Sequence, residues 1–279
     1  MKCLVTGATG FIGSELCRQL EARGVGIERC GREAPSDSQL AGVQAVFHCA
    51  GIAHRAAADE DYETHNYHAT LSLARRCAEA GVVRFVFLSS VIAVDPVDAY
   101  GRWKLRTEEA LLADYRDTAM NVVVLRPALV YGPGAGGNLA RLLALVNRGM
   151  PTPPPGKPRS MVGLEDLCAA LCLLTEIDPG RGQVFFATDG ESYDLQRIHR
   201  CFAEALGRSP APPRWPGWCW RLACLLYDTL RLAPFSGATY RRLFDGREYS
   251  NTELCHALGW QPRQRLEEVA PHMVAEASS

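Results

Sequence analysis

The sequence predicts an α/β protein: a doubly wound parallel sheet with helices on both faces, and a smaller lobe drawn mostly from the C-terminal half. Three observations predict it. Short apolar runs bounded by small residues alternate with helically spaced segments through the first half of the chain. A glycine-rich turn follows the first of these runs, and a Pro- and Gly-rich passage from Gly132 to Pro158 marks departure into a second lobe. Strands that alternate with helices pair in parallel, because each crossover must return the chain to the same sheet edge. The expected boundaries place the sheet domain at 1–135, with 160–190 returning to it, and the smaller lobe at 136–159 and 191–279.

Each element has its own signal. Cys3-Leu4-Val5 is the first strand; after the glycines, Ile12, Leu16 and Leu20 at four-residue spacing make an amphipathic helix that ends at Gly24. A second strand closes at Arg29-Cys30-Gly31. Val43 to Cys49 and Val82 to Leu88 are buried-strand runs, separated by a helix from Tyr62 to Ala80 that Gly81 stops. Asn121 to Leu125 is the next strand, closed by Arg126-Pro127, and Asn138 to Arg148 is a helix inside the Pro/Gly-rich passage. Trp215 to Leu232 is the most membrane-like stretch. Pro216, Arg221, Asp228 and Arg231 interrupt it, so it reads as an amphipathic core or interface helix and not as a span.

Thirty basic residues against 31 acidic ones leave a formal net charge of -1. That argues against a nucleic-acid backbone or an anionic membrane surface as the main partner. Only Lys2, Lys104 and Lys157 are lysines; the other 27 basic residues are arginines, and the two are not interchangeable. Eleven cysteines are scattered without a CxxC pair, as expected of reduced thiols serving as small core residues in a cytoplasmic protein. Met1 leads directly into an apolar strand, so no secretory leader is expected. His65 and His68 lie near Cys77 but lack a further partner at metal-ligand spacing, so no metal site is expected.

Two motifs carry chemistry. In Thr6-Gly7-Ala8-Thr9-Gly10-Phe11-Ile12-Gly13, three glycines follow a strand and open a helix. Residues without Cβ let backbone N–H groups approach a pyrophosphate, and the helix N-terminus adds its partial positive charge. In Tyr100-Gly101-Arg102-Trp103-Lys104, a helix sets the ammonium on the same face as the phenol. A phenol of pKa ~10 is a poor base at neutral pH, and a nearby cation favours its ionised form. Upstream, Phe85 to Ser90 is a strand whose carboxyl end delivers Ser90 where ligands of parallel sheets sit. Strand alternation turns Ser89 the other way.

Across TGATGFIG (6–13), FHCAG (47–51), FVFLSS (85–90), YGRWK (100–104), RPALVYGPG (126–134), RSMVGLEDL (159–167) and LGWQP (258–262), the chain resembles the extended short-chain dehydrogenase/reductases. It is most similar to their nucleotide-sugar epimerase and reductase branch of bacterial surface-polysaccharide type. The motifs follow the family's order over nearly the whole chain. The resemblance implies a Rossmann-like domain for NAD or NADP and a small lobe for a nucleotide sugar of UDP-N-acetylhexosamine type. It implies Ser90, Tyr100 and Lys104 as the catalytic set. Cofactor contacts would come from Gly7, Thr9, Gly10, Phe11, Ile12, Gly13, Ala50, Gly51, Lys104 and Pro127, and substrate contacts from Ser90, Asn138 and Arg159. Asn138 matches a diphosphate contact, although a helix N-cap accounts for it equally. Arg159 suits the same phosphates by its bidentate geometry. The family also suggests that Asn66 bridges backbone groups near the active site, and that the protein forms a homodimer.

Departures from the pattern matter as well. Gly31 stands where NAD-preferring members carry an acid; Arg32 could pair a 2′-phosphate, which favours NADP, while Glu33 keeps NAD open. The stretch 33–42 is too short for the usual helix and third strand, leaving Asp37 as the substitute near the adenine. Only nine residues separate Ser90 from Tyr100, about half the usual loop. Val91-Ile92 stand where 4,6-dehydratases carry an Asp-Glu pair, and aliphatic side chains do no acid/base work. The expected reaction is hydride transfer at the sugar C4, as a 4-epimerase. An NADPH-dependent 4-keto-6-deoxy-sugar reductase is the alternative, and a non-catalytic NAD(P)-binding regulator is the alternative of another class.

Overall fold

The computed structural model describes residues 1–31, 33–52, 57–209, 215–216, 218–220, 222 and 246–277. The chain forms two compact units: Met1–Ala128 with Leu164–Ala187 and Asn251–Gln261, and Leu129–Gly163 with Thr188–Ser250 and Pro262–Ser279.

The first unit is built on a parallel sheet of β1 (Lys2–Thr6), β2 (Gly26–Cys30), β3 (Ala45–His48), β4 (Arg84–Leu88), β5 (Asn121–Pro127) and β8 (Val184–Ala187). Its order is β2-β1-β3-β4-β5-β8. The central strands are buried nearly end to end, as strands covered on both faces must be. Leu4, Val46, Phe85, Phe87, Val122 and Val124 share one core with Leu73, Ala74 and Cys77 of α4 (Ala69–Glu79) and Leu111 of α5 (Ala99–Asp114). Elsewhere in this unit α1 (Phe11–Ala22) packs on α7 (Leu164–Leu173), burying Gly13, Leu16, Cys17 and Leu20. From β1 the chain goes first to β2 and then back across to β3. The carboxyl ends of β1 and β3 therefore flank the switch point at which open α/β sheets bind ligands.

Residues 33–42 hold only the four-residue helix α2 (Asp37–Leu40), boxed by Ser36 and Gln39. Among the described residues no strand forms beyond β2, which is the sheet edge. The predicted helix over 62–80 starts earlier, at α3 (Asp59–Tyr62), and reaches α4 through a π turn over Glu63–His68. Apolar spacing does not announce that turn. The Asn66 carbonyl within it accepts the hydroxyls of both Thr70 and Thr107.

In the second unit, β6 (Leu129–Tyr131) pairs in parallel with β7 (Met161–Gly163). Around them lie α6 (Gly137–Asn147), α8 (Leu195–Ala205) and a helix over Leu266–Ala277. Tyr131 and Tyr193 both donate to the buried Asp189 carboxylate, at 2.9 and 2.8 Å. The segment 215–232 lies largely outside the described residues; Trp220 within it is buried in this unit's core. Among the described residues no helix is long and apolar enough to cross a membrane, and the ten described cysteines are free thiols.

Candidate active site

The glycine turn closes tightly at the end of β1. Gly10 N–H donates to the Gly7 carbonyl at 2.9 Å, and Gly7 takes a φ of +67° that side chains disfavour. A Cβ on Gly7 would lie 2.9 Å from the Ala50 nitrogen, and one on Gly13 would lie 2.2 Å from the Gly7 carbonyl oxygen. The glycines thus let α1 and the 49–51 turn crowd together. Gly10 is the N-cap of α1, with no side-chain cap and no acidic residue in the first turn. An open helix N-terminus over a Cβ-free cradle is what an anionic pyrophosphate needs, so these residues fit a dinucleotide. Thr9 and Gly10 are exposed here, and Phe11 and Ile12 are half-buried.

Opposite, at the carboxyl end of β4, Ser90 is half-buried and its Oγ accepts from Ile92 N–H at 3.3 Å, capping a short 3-10 turn over Val91–Ala93. Ser89 points into the core and donates to Glu108, as alternation predicts. Asp98 caps α5 through Gly101 N–H at 2.9 Å, which starts the helix one residue before Tyr100. Lys104, one turn on, is buried. Its Nζ donates to the Leu88 carbonyl at 2.8 Å and stands 4.5 Å over the Phe87 ring. Burial lowers its pKa to about 8, against the opposing pull of Glu108 and Cys49.

Tyr100 is half-buried, its ring 5.9 Å from that of Tyr62. Its phenol is pushed well above the ordinary value, first by burial, then by the Asp98 charge and Tyr62. The direction is opposite to the cation effect that the YxxxK spacing suggests. Desolvation of the phenolate outweighs any help from an ammonium that is itself engaged by a backbone carbonyl. Neither Asp98 nor Tyr62 is marked by the motifs; a signal exists only in their sequence proximity to Tyr100 and to the Asn66 helix.

Gly51 links the two halves of this site. A Cβ there would meet Asn66 Oδ1 at 3.2 Å and Lys104 Nζ at 3.9 Å. Asn66 clamps Ile52 from both sides, its Oδ1 accepting from Ile52 N–H at 2.8 Å and its Nδ2 donating to the Ile52 carbonyl at 3.0 Å. Ala50 is half-buried beside Gly7, and Pro127 is buried at the end of β5. Arg126 holds Glu108 through two nitrogens, with Nε at 3.0 Å from Oε2. It orders the strand end, as its position before Pro127 suggests.

The remaining candidates lie elsewhere. Arg32 is outside the described residues. Glu33 is exposed, and its carbonyl accepts from the Cys30 thiol. Asp37 is paired with Arg76 at 2.6 Å, which engages the carboxylate proposed for the adenine side. Asn138 and Arg159 belong to the second unit. Gly136, not Asn138, is the N-cap of α6, and Asn138 is exposed inside the first turn; the capping account of Asn138 is therefore corrected. Arg159 is half-buried and pairs backbone to backbone with Tyr193. Among the described residues no group of three or more His, Cys, Asp or Glu side chains could hold a metal ion.

Comparison with known proteins bears on this geometry. A UDP-glucose 4-epimerase of Vibrio cholerae is 28% identical, over 95% of this chain and 92% of its own length. MoeE5, solved with UDP-glucose and NAD, superposes with a TM-score of 0.76 at 23% identity, over 100% of this chain and 99% of its own. A Bacillus cereus UDP-glucuronic acid 4-epimerase, solved with NAD, gives a TM-score of 0.79 at 18% identity, over 100% and 99%. At such identities the two structures establish the shared fold. Residues 3–184, which hold the glycine turn, Ser90, Tyr100 and Lys104, match a single family description over well over half of the chain, and the chain belongs to the NAD dependent epimerase/dehydratase family.

Proposed function

We propose that the protein is an NAD(P)-dependent nucleotide-sugar 4-epimerase acting on a UDP-hexose, of N-acetylhexosamine type. The observation that carries this is the burial of Lys104 beside Gly51, which sets the YxxxK helix against the turn that follows β3. In this reading the sheet unit takes the dinucleotide and the second unit takes the sugar nucleotide. Gly7, Thr9, Gly10, Phe11, Ile12 and Gly13 hold the pyrophosphate. Ala50, Gly51 and Pro127 line the nicotinamide side, and Lys104 holds the ribose hydroxyls. When bound, the nicotinamide supplies a hydride acceptor and donor. Tyr100, in its ionised form, takes the proton of the sugar 4-hydroxyl and later returns it to the 4-keto oxygen, while Ser90 holds that oxygen by a hydrogen bond. General acid/base work of this kind is typically worth ~10² to 10⁴-fold. Asn138 and Arg159 hold the diphosphate. Gly31 and Arg32 favour NADP over NAD. Val91-Ile92 supply no acid/base pair, which speaks against 4,6-dehydration. A homodimer in the cytoplasm accompanies this reading by family resemblance.

A second reading, reduction of a 4-keto-6-deoxy sugar by NADPH, is favoured by one observation. Burial and Asp98 hold Tyr100 protonated, the state in which it donates to a ketone. The experiment is incubation with UDP-glucose, with UDP-N-acetylglucosamine, and with a 4-keto sugar nucleotide plus NADPH, followed by NMR. Formation of the C4 epimer without net cofactor consumption supports the epimerase. Stoichiometric NADPH loss with the ketone alone supports the reductase. Cofactor binding without turnover of any of the three would favour a regulator.

A further inference from the structure

His48, at the end of β3, has no part in the chemistry above, yet every polar atom of its ring is used. It is 6% exposed, flanked by the Phe85 and Phe87 rings with centroids at 5.8 and 6.0 Å. Its Nδ1 lies 2.7 Å from Thr6 Oγ1, and its Nε2 lies 2.8 Å from Thr70 Oγ1. Thr6 is the residue before Gly7, and its Oγ1 accepts from Ala50 N–H at 3.3 Å. Thr70 Oγ1 donates to the Asn66 carbonyl at 2.8 Å.

The carbonyl fixes the direction of the whole chain. It can only accept, so the Thr70 hydrogen is spent on it, and Thr70 Oγ1 must accept from His48. Nε2 therefore carries a hydrogen. Burial, assisted by the Lys104 charge, keeps the ring neutral, which leaves Nδ1 as an acceptor for the Thr6 hydroxyl. Thr6 in turn accepts from Ala50.

We propose that His48 is a positioning residue. As the neutral Nε2–H tautomer it closes a one-directional chain, Ala50 N–H to Thr6 to His48 to Thr70 to the Asn66 carbonyl, that fixes the glycine turn against the turn bearing Asn66. This rests on the reading that the glycine turn takes a dinucleotide. Because Ala50 and Ile52, the latter held by Asn66, bracket Gly51, the chain sets both ends of the 50–52 turn. A protonated ring would reverse the Thr6 link and leave the Thr6 hydrogen without an acceptor; the Nδ1–H tautomer would do the same and also leave Nε2 without a donor.

The test has two arms. Long-range ¹H–¹⁵N spectra of the histidine-labelled protein should show one ring, absent in His48→Gln, with the Nε2–H pattern unchanged from pH 8 to pH 5. Titration of that ring above pH 5, or an Nδ1–H pattern, overturns the proposal. In the second arm NAD⁺ and NADP⁺ are titrated by calorimetry into the wild type, His48→Gln, His48→Phe and Thr6→Val. Gln offers one acceptor and one donor and should keep affinity within about threefold. Phe keeps the ring packing but neither bond, and should weaken binding about tenfold, the factor that ~1.4 kcal/mol of lost hydrogen bonding produces. Thr6→Val removes the two bonds at Thr6, from Ala50 N–H and to His48 Nδ1, and serves if the Phe variant does not fold. Wild-type affinity in both Phe and Val variants sinks the positioning role. A wild type that binds neither nucleotide sinks the dinucleotide reading and the role with it, whereas the tautomer is decided by the spectra alone.

Discussion

Tyr100 and Lys104 are held in opposite electrostatic moods. The phenol is kept protonated by burial and by Asp98, and the ammonium is penalised by burial. Tyr100→Phe should lower kcat by ~10² to 10⁴-fold with little change in melting temperature, and wild-type turnover in that variant would remove Tyr100 from the chemistry. Lys104 presents a function–stability conflict. Its folded pKa of about 8 lies below the ordinary 10.5, so the unfolded chain binds more protons between those values and stability rises with pH across that window. Below pH 8 the full cost of the buried charge is present. Lys104→Met should therefore abolish activity yet melt higher than the wild type at pH 7, with the gap closing from pH 8 toward 10.5; a lower-melting variant at pH 7 refutes this account. Glu108 is the contrasting case. It is 1% exposed and shared by Arg126 and Ser89, and removing one partner of a buried pair typically costs about 3–5 kcal/mol. Urea unfolding of Glu108→Ala should report a loss of that order, and a loss under about 1 kcal/mol would mean that Arg126 finds water instead.

At the scale of elements, the same glycines that are proposed to admit a ligand also set how α1 meets β1. A Cβ on Gly13 would overlap the Gly7 carbonyl, so Gly13→Ala must push the helix off the turn. It should lower the melting temperature by several degrees, at about 2–4 °C per kcal/mol for a chain of this size, and weaken nucleotide binding as well. Wild-type affinity in this variant would show that the cradle can relax. The strands β1 to β5 and the helix α1 were legible in the sequence, because buried parallel strands read as continuous apolar runs and α1 as a four-residue repeat, whereas β6, β7, β8, α7 and α8 carried no expectation. The π turn over Glu63–His68 was not, since it depends on hydroxyls from two helices meeting one carbonyl, which apolar spacing does not encode. The truncated edge beyond β2 was legible for a plainer reason: too few residues lie between Cys30 and Ala45 to build another helix and strand.

For the whole molecule, the motifs marked residues at the carboxyl ends of β1, β3 and β4, but not the groups packed against them. Tyr62 meets the Tyr100 ring from another helix, and the tautomer proposed for His48 rests on threonines distant in sequence, so no local pattern points to either; Asp98 is local, the N-cap three residues before Gly101, but it lies outside the motif that marks Tyr100. Of these, His48 governs how the molecule responds to acid. His48 has an ordinary value of 6.5 and a folded value of about 3, through burial and then the Lys104 charge. The unfolded chain therefore binds the extra proton first, and stability falls as pH drops below 6.5, reaching its full loss only near pH 3. Glu15 and Glu267, whose carboxyls are held low by Arg18 and Arg197 against the opposing effect of burial, add a loss in the same direction below 4.5. Asp189 opposes them, because burial raises its value and folding favours its protonated form. Between pH 6.5 and 4.5 the His48 contribution thus stands apart from those of Glu15 and Glu267, with a slope of at most about 1.4 kcal/mol per pH unit that Asp189 can only reduce. Urea unfolding at pH 7, 6 and 5 should show this decline in the wild type. His48→Gln has no proton to gain and should flatten it, whereas an equal decline in both proteins would place the acid sensitivity in other groups.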